Sequence, residues 1–481
     1  MSPTRGSHLR SRLPALLVLL LALLLRVAWI AAFPADPIGP VDAEGYHLIA
    51  RNLLAGHGFS MVWEAPFCPT ALRTPLYPLF LAGAYRILGA EPARAVWLQL
   101  LLEVLSTALV MRAGTLLGGR RTGIPAGLLY ACNGSTQRYT GVLFAETLLL
   151  TGMAAALTTT LCALQRPTLK RGALSGTLWG LALLTKPNVQ FLALAVGVLL
   201  LTAALRQPRA SRARKRHLAS VAGFATLLLV VLLPWVLRNS IVFKRGLLST
   251  AYEENLARVS AVATLAEVEG IPAEPWTPTW EALYNRLVEA TAQRCAWSAA
   301  PEDTLPCLER EQRRQDVAAS AREVVLAHLK AFVSSHLRGI SSSLLNLGHR
   351  DWYQALTHKT WEQTGVLDNI WKRMGESLSI GAVGDALHAL WLERVVNAPP
   401  DAALVWWGLL ALRAAVWWGA LCGCRHLRHA PALLLEGVVV YGLLLAGPIA
   451  HDRFYLPAIP AVVILLAVGV RGSGSYLRER C

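Results

Sequence analysis

The sequence predicts an all-α polytopic membrane protein of about ten transmembrane helices, within a range of about eight to twelve. Juxtamembrane helices are expected in its first outer loop, along with a mainly helical extracytoplasmic domain. Three observations carry this. AVILMFWYC residues make up 54% of the 481-residue chain and charged residues 16%, with a mean hydropathy of +0.43, above the apolar share of a typical soluble domain. The apolar residues fall in blocks of about 16 to 25, long enough to cross a hydrocarbon core as helix. Lys and Arg recur in every second short loop, as cytoplasmic loops keep them and translocated loops lose them.

The expected spans are 13–33, 95–118, 123–140, 146–165, 172–185, 188–205, 218–237, 402–423, 431–449 and 454–470. The 172–185 block is short and Pro187 interrupts the stretch, so it and 188–205 are two crossings or a tight re-entrant pair. Arg5, Arg10 and Arg12 precede the first span; Arg120, Arg121, Arg166, Lys170, Arg171 and the run from Arg206 to Arg216 share its starting side, as do Arg425, Arg428, Arg471, Arg478 and Arg480. That side is read as the cytoplasm. The first block is taken as an uncleaved anchor that delivers residue 34 onward to the outside.

Three regions follow: residues 1–237 as an N-terminal membrane module including the outer loop 34–94, residues 238–400 as an extracytoplasmic domain, and residues 401–481 as C-terminal membrane helices with a short cytoplasmic tail. In the middle region Val317, Ala321, Val324, Val325, Leu329 and Phe332 are expected to form an apolar helical stripe. The formal charge of +16 resides largely in the inside loops, where it sets topology and meets anionic membrane lipids. No aromatics are interleaved for base stacking, which argues against a nucleic-acid partner. No Walker A sequence or GxSxG elbow is present. Of the eight cysteines, Cys295 and Cys307 bracket an irregular stretch of the translocated domain, where a disulfide between them is expected.

The segment VDAEGYHLIARNLLAGHGF, beginning at Val41, is the most informative. As a helix it places Asp42, Tyr46, Ile49 and Leu53 on one face and turns Glu44 away. An acid on a packing face is costly unless it has a partner or a task; the competing reading is a helix N-cap. Residues 73–89 are apolar but short and proline-rich, and a crossing there would invert every later loop, so they are expected as an interfacial helix with Arg73 at head-group level. Glu146, Lys186, Arg238, Asn239, His451, Asp452 and Arg453 then fall at span ends on the same outer side. Singly, each suits a snorkelling or capping group. Together, carboxylates and cations at head-group depth suit an anionic lipid phosphate beside a hydroxyl acceptor.

These segments resemble the GT-C membrane glycosyltransferases of the protein-mannosyltransferase and aminoarabinose-transferase type, glycosyltransferase family 39 and its relatives. The resemblance covers mainly residues 13–250 and 448–470. It rests on DAEGYHLIARNLLAGHGF, RTPLYPLFLAGAYRILG, VLFAETLLL, LPWVLRNSIVFKRGLLSTAYEENL and HDRFYLPAIPAVVILLAVG, in the family's order. Where the family often has Asp-Glu, this chain has Asp42-Ala43, with Glu44 one place further. The resemblance implies a GT-C-like bundle and an inverting transfer from a polyprenyl-phosphate sugar to a lipid, glycan or protein acceptor. Asp42 would be the general base and Tyr46 part of the substrate site, while Arg73, Lys186, Arg238, Asn239 and Arg453 would line the donor phosphate. Glu146 would orient the acceptor or help hold a cation, and Glu44 would be a weaker second acid. A divalent cation has precedent in the superfamily, though no ligand set is evident from spacing. The composition fits a bacterial cytoplasmic membrane with a periplasmic active site, and an ER membrane obeys the same rules. The rival readings are a polysaccharide ligase or polymerase using a lipid-linked donor, and a transporter or lipid flippase, which internal repeats would favour.

Overall fold

The computed structural model describes residues 5–271, 275–298, 300, 305–345, 357, 384, 388, 399–427, 430–445 and 455–478; Arg453 lies outside them. Helix dominates, and the described residues contain only an isolated bridge between Ser60 and Pro69 in place of any strand. The chain is a multi-pass membrane protein. Six helices among the described residues have the length and apolar content to cross a membrane: Arg12–Ala32, Pro92–Gly118, Ala145–Gln165, Pro187–Leu205, Arg212–Phe243 and Pro400–His426. The remaining expected crossings fall on shorter or interrupted helices.

The chain divides into two compact units. The first comprises Met1–Ala251, Val416–Tyr441 and Leu456–Cys481. Its helices run α1 (Arg5–Ala32), α2 (Val41–Leu54), α3 (Leu76–Leu88), α4 (Pro92–Gly118), α5 (Arg120–Ala131), α6 (Gly134–Arg138), α7 (Ala145–Gln165), α8 (Leu169–Thr185), α9 (Gln190–Leu205) and α10 (Arg212–Phe243). The 73–89 block is the 13-residue α3, about 20 Å long at 1.5 Å per residue and too short for a hydrocarbon core. The 123–140 block is broken: α5 stops at Ala131, and Asn133 caps the five-residue α6 by accepting a hydrogen bond from Thr136 N at 3.2 Å.

The bundle packs through small residues and hydroxyls, as helices do where lipid removes the hydrophobic drive between them. Gly172 and Gly176 of α8 meet the backbone of α10 so closely that an added Cβ would stand 1.9 Å from Ser220 O and 2.1 Å from Phe224 O. Thr158 of α7 donates to Leu109 O at 3.1 Å, Ser106 and Thr151 hydroxyls meet at 2.8 Å, and the Trp179 indole donates to Thr160 at 3.0 Å.

The second unit comprises Tyr252–Ala415 and Gly442–Tyr455. It contains α11 (Val262–Glu269), α12 (Pro278–Arg294), α13 (Cys307–Ala327) and α14 (Leu329–Leu345). The apolar stripe packs as expected in its first part: Val317, Ala321 and Val325 bury against Ala257, Ala261 and Leu287, with Val324 and Phe332 at the edge. Leu329 is exposed, because the helix breaks at His328.

The Cys295–Cys307 disulfide does not form. Cys295 closes α12 as an exposed free thiol, whereas Cys307 is disulfide-bonded, as is Cys68, so its sulfur is already committed.

Candidate functional site

The first turn of α2 begins after Pro40, and no side chain caps it. Asp42 is therefore inside the helix, where the N-terminal dipole favours an acid. Its carboxylate forms an ion pair with Arg73, and the Arg73 guanidinium lies 5.0 Å from the centre of the Tyr46 ring. Tyr46, one turn along α2, is 2% exposed and meets Tyr77 of α3 edge to face at 4.8 Å. Glu44 turns away, accepting a hydrogen bond from the Trp63 indole at 2.9 Å. The two acids thus have different partners, but both are half-buried, and Glu44 does not face open solvent as expected.

Tyr77 continues the network inward. Its hydroxyl donates to Gln99 Oε1 of α4, and Gln99 Nε2 donates to Thr140 O at 3.1 Å and Val142 O at 2.9 Å. These carbonyls belong to the segment that leads into α7, where Glu146 occupies the first turn. Glu146 is 1% exposed, and its Oε1 lies 2.5 Å from Lys186 Nζ. Lys186 sits where it does because α8 ends at Thr185 and Pro187 stops its continuation; a cation there also meets the negative end of the helix dipole. Burial pushes the Tyr77 phenol above its ordinary pKa, with Tyr46, Tyr85 and the Glu146 carboxylate adding to the rise.

Arg238 and Asn239 serve the loop that precedes Arg73. Arg238 donates to Thr70 O at 2.9 Å and Asn239 Oδ1 at 2.8 Å, and its guanidinium is ringed by Phe59, Trp235 and Phe243 at 5.5, 4.9 and 5.2 Å. Asn239 donates to Leu247 O at 2.8 Å, Ser249 Oγ donates to Leu72 O at 2.8 Å, and Thr250 N donates to Ala71 O at 3.0 Å. The end of α10 and the chain after it therefore clamp residues 70–72, immediately before Arg73.

Asp42, Tyr46 and Arg73 thus meet directly, and Glu146 meets Lys186. Tyr77 and Gln99, which tie α3 to the segment before Glu146, are not singled out by the sequence motifs. The available signal was a glutamine within the apolar run WLQLLLEV and a tyrosine inside the Arg-Thr-Pro segment. Among the described residues, no three His, Cys, Asp or Glu side chains gather to hold a metal ion.

Comparison with known proteins agrees with the resemblance read from the sequence. Residues 72–236 match the family model for dolichyl-phosphate-mannose-protein mannosyltransferase. No curated relative matches the chain by sequence. The Archaeoglobus fulgidus oligosaccharyltransferase, tethered to an acceptor peptide containing the NVT sequon, is similar at a TM-score of 0.50 and 15% identity, over 98% of this chain and 51% of that one. This chain therefore spans about half the length of that protein, and the likeness is one of fold. ArnT from Cupriavidus metallidurans, bound to undecaprenyl phosphate, is similar at a TM-score of 0.39 and 18% identity, over 96% of this chain and 79% of that one.

Proposed function

We propose that this chain, which over residues 72–236 matches the protein-mannosyltransferase family, is an inverting glycosyltransferase that moves a sugar from a polyprenyl-phosphate carrier to a hydroxyl acceptor. The observation that carries the reading is the Asp42–Arg73 pair against Tyr46, with Tyr77 and Gln99 reaching from it to the segment that leads into the buried Glu146–Lys186 pair. A proton acceptor thus stands in contact with a phosphate-binding cation, and a second acid–base pair lies behind them.

In this reading the acceptor oxygen attacks the anomeric carbon as the bond from that carbon to the phosphate oxygen breaks. Asp42 takes the hydroxyl proton, and the phosphate leaves on its polyprenyl chain. A donor phosphate at Arg73 competes with Asp42 for the guanidinium and so turns the carboxylate toward the acceptor. Arg73 and Lys186 stabilise the negative charge that grows on the departing phosphate. Glu146 holds Lys186 in place and Tyr46 forms a wall of the sugar site. Arg238 and Asn239 act through the loop they clamp, and Arg453 is a further candidate cation for the phosphate.

The site faces away from the cytoplasm, with the amino terminus inside, about ten crossings and residues 238–400 translocated. The alternation of Lys and Arg among the loops supports this orientation. So do the disulfide-bonded Cys68 and Cys307, since such bonds persist on the oxidising side. Purified protein incubated with a panel of polyprenyl-phosphate sugars and hydroxyl acceptors should consume one donor and release polyprenyl phosphate. Folded protein that consumes none of them would overturn the reading.

A further inference from the structure

A second buried ion pair lies outside the two pairs of the proposed site. Arg26 of α1 and Glu103 of α4 meet at 2.9 Å, and both side chains are 0% exposed. Each belongs to a helix long and apolar enough to cross the membrane, where an ionised group is a burden unless something requires it.

What requires it is the break between α5 and α6. The last carbonyls of a helix have no intrahelical partner, and at membrane depth no water is present to take their place. Arg26 Nη1 donates to Ala131 O, the final carbonyl of α5, at 3.3 Å; Gln137 Nε2 donates to the same oxygen at 3.0 Å. Arg26 Nη2 reaches past the break to Thr136 Oγ1 at 3.2 Å while also holding Glu103 Oε2. Tyr130 OH donates to the same Glu103 oxygen at 3.2 Å. The guanidinium thus touches both sides of the interruption and places a cation at the negative end of α5.

The consequence reaches the transfer site. Gln99 and Glu103 lie four residues apart on one face of α4. Glu103 fixes the start of the 132–145 segment through Arg26, and Gln99 holds its end through Thr140 O and Val142 O. We propose that Arg26, with Glu103 balancing its charge, caps a discontinuous membrane helix and is a positioning residue for the transfer site, setting where residues 132–145 deliver Glu146 and the acceptors of Gln99. The capping stands on its own, while the positioning of a transfer site rests on the proposed function.

The test uses the full chain in detergent. Removing one charge strands the other, so the informative variant is Arg26→Met with Glu103→Met, since a buried pair replaced by apolar groups often keeps its stability. Thermal unfolding should remain close to wild type, while the amides of residues 132–145 exchange hydrogen about tenfold faster or more, without a matching rise in α4 or α7. Unchanged exchange there in the folded double variant overturns the proposal. Should that variant fail to fold, Arg26→Lys decides. It retains the charge but lacks the planar fork that spans the break, so faster exchange confined to 132–145 supports the cap and unchanged exchange overturns it. Donor consumption is measured in the same preparations. Faster exchange with full turnover removes the positioning role, and faster exchange beside a wild type inactive on every donor leaves the cap standing while the transfer reading falls.

Discussion

Lys186 Nζ and Glu146 Oε1 lie 2.5 Å apart, joining the C-terminal end of α8 to the first turn of α7, with the glutamate side chain 1% exposed. Each charge makes the other tolerable. Lys186→Met takes the adjacent cation from a buried carboxylate and should lower stability, by up to about 3–5 kcal/mol. Adding Glu146→Gln should restore most of that loss without restoring donor turnover, because the cation for the departing phosphate is still missing. Thermal unfolding and donor consumption of the two singles and the double check this; a double variant with wild-type turnover would remove both residues from the chemistry.

His47 provides a pH test. Its Nδ1 lies 2.8 Å from the Tyr85 hydroxyl, and the ring faces Trp63 at 6.2 Å. Burial holds its pKa below the ordinary 6.5, Arg51 lowers it further and Glu44 partly opposes them. Since the unfolded chain binds the proton more readily, the stability from neutral His47 is complete above pH 6.5 and is lost as pH falls below it. The melting temperature should therefore drop between about pH 7 and pH 5, and His47→Gln, which keeps an acceptor for Tyr85, should flatten that drop. An equal pH slope in both proteins would assign the effect to another group.

The chain wrote some of this plainly and concealed the rest. The α2 helix, the short α3 and the break at Pro187 were legible because each depends on neighbouring residues: a 3.6 period, a length and a proline. The pairing of Asp42 with Arg73 was not legible, since it depends on how the loop between α2 and α3 folds back. Arg26 and Glu103 escaped because hydropathy averages a lone charge into its apolar block, although an ionised residue in such a block is itself a signal. Arg238 reads as a bare cation in the sequence, yet Trp235 and Phe243 on its own helix already suggested an aromatic cage. Spacing in the sequence pairs Cys307 with the nearer cysteine, whereas disulfides follow geometry in space, which spacing does not supply.

The α8–α10 contact predicts a sharp contrast between glycines. A side chain at Gly176 would meet the Phe224 carbonyl at 2.1 Å, and backbone cannot rotate away as a side chain can. Gly176→Leu must separate the two helices and should abolish folded protein in detergent. At Gly83 in α3 an added Cβ would meet no heavy atom within 4 Å, so Gly83→Ala should be neutral or stabilising by about 0.4–1 kcal/mol. Size-exclusion profiles and melting temperatures separate the two, and a well-folded Gly176→Leu would show that the close approach is dispensable.

Asp42 carries the sharpest prediction, because it and the nearby Glu44 have different partners. Asp42→Asn keeps the size of the side chain and a hydrogen bond to Arg73 but removes the proton acceptor, so turnover should fall by about 10² to 10⁴ with little change in melting temperature. Arg73→Lys keeps the charge, loses the planar fork and should weaken donor binding more than it slows the chemistry. Glu44→Gln retains an acceptor for the Trp63 indole and should be close to neutral. Because Asp42 follows the helix start and does not cap it, loss of a cap cannot explain a defect in Asp42→Asn. Normal donor consumption by Asp42→Asn, with the loss appearing in Glu44→Gln or Glu146→Gln, would move the base to one of those residues.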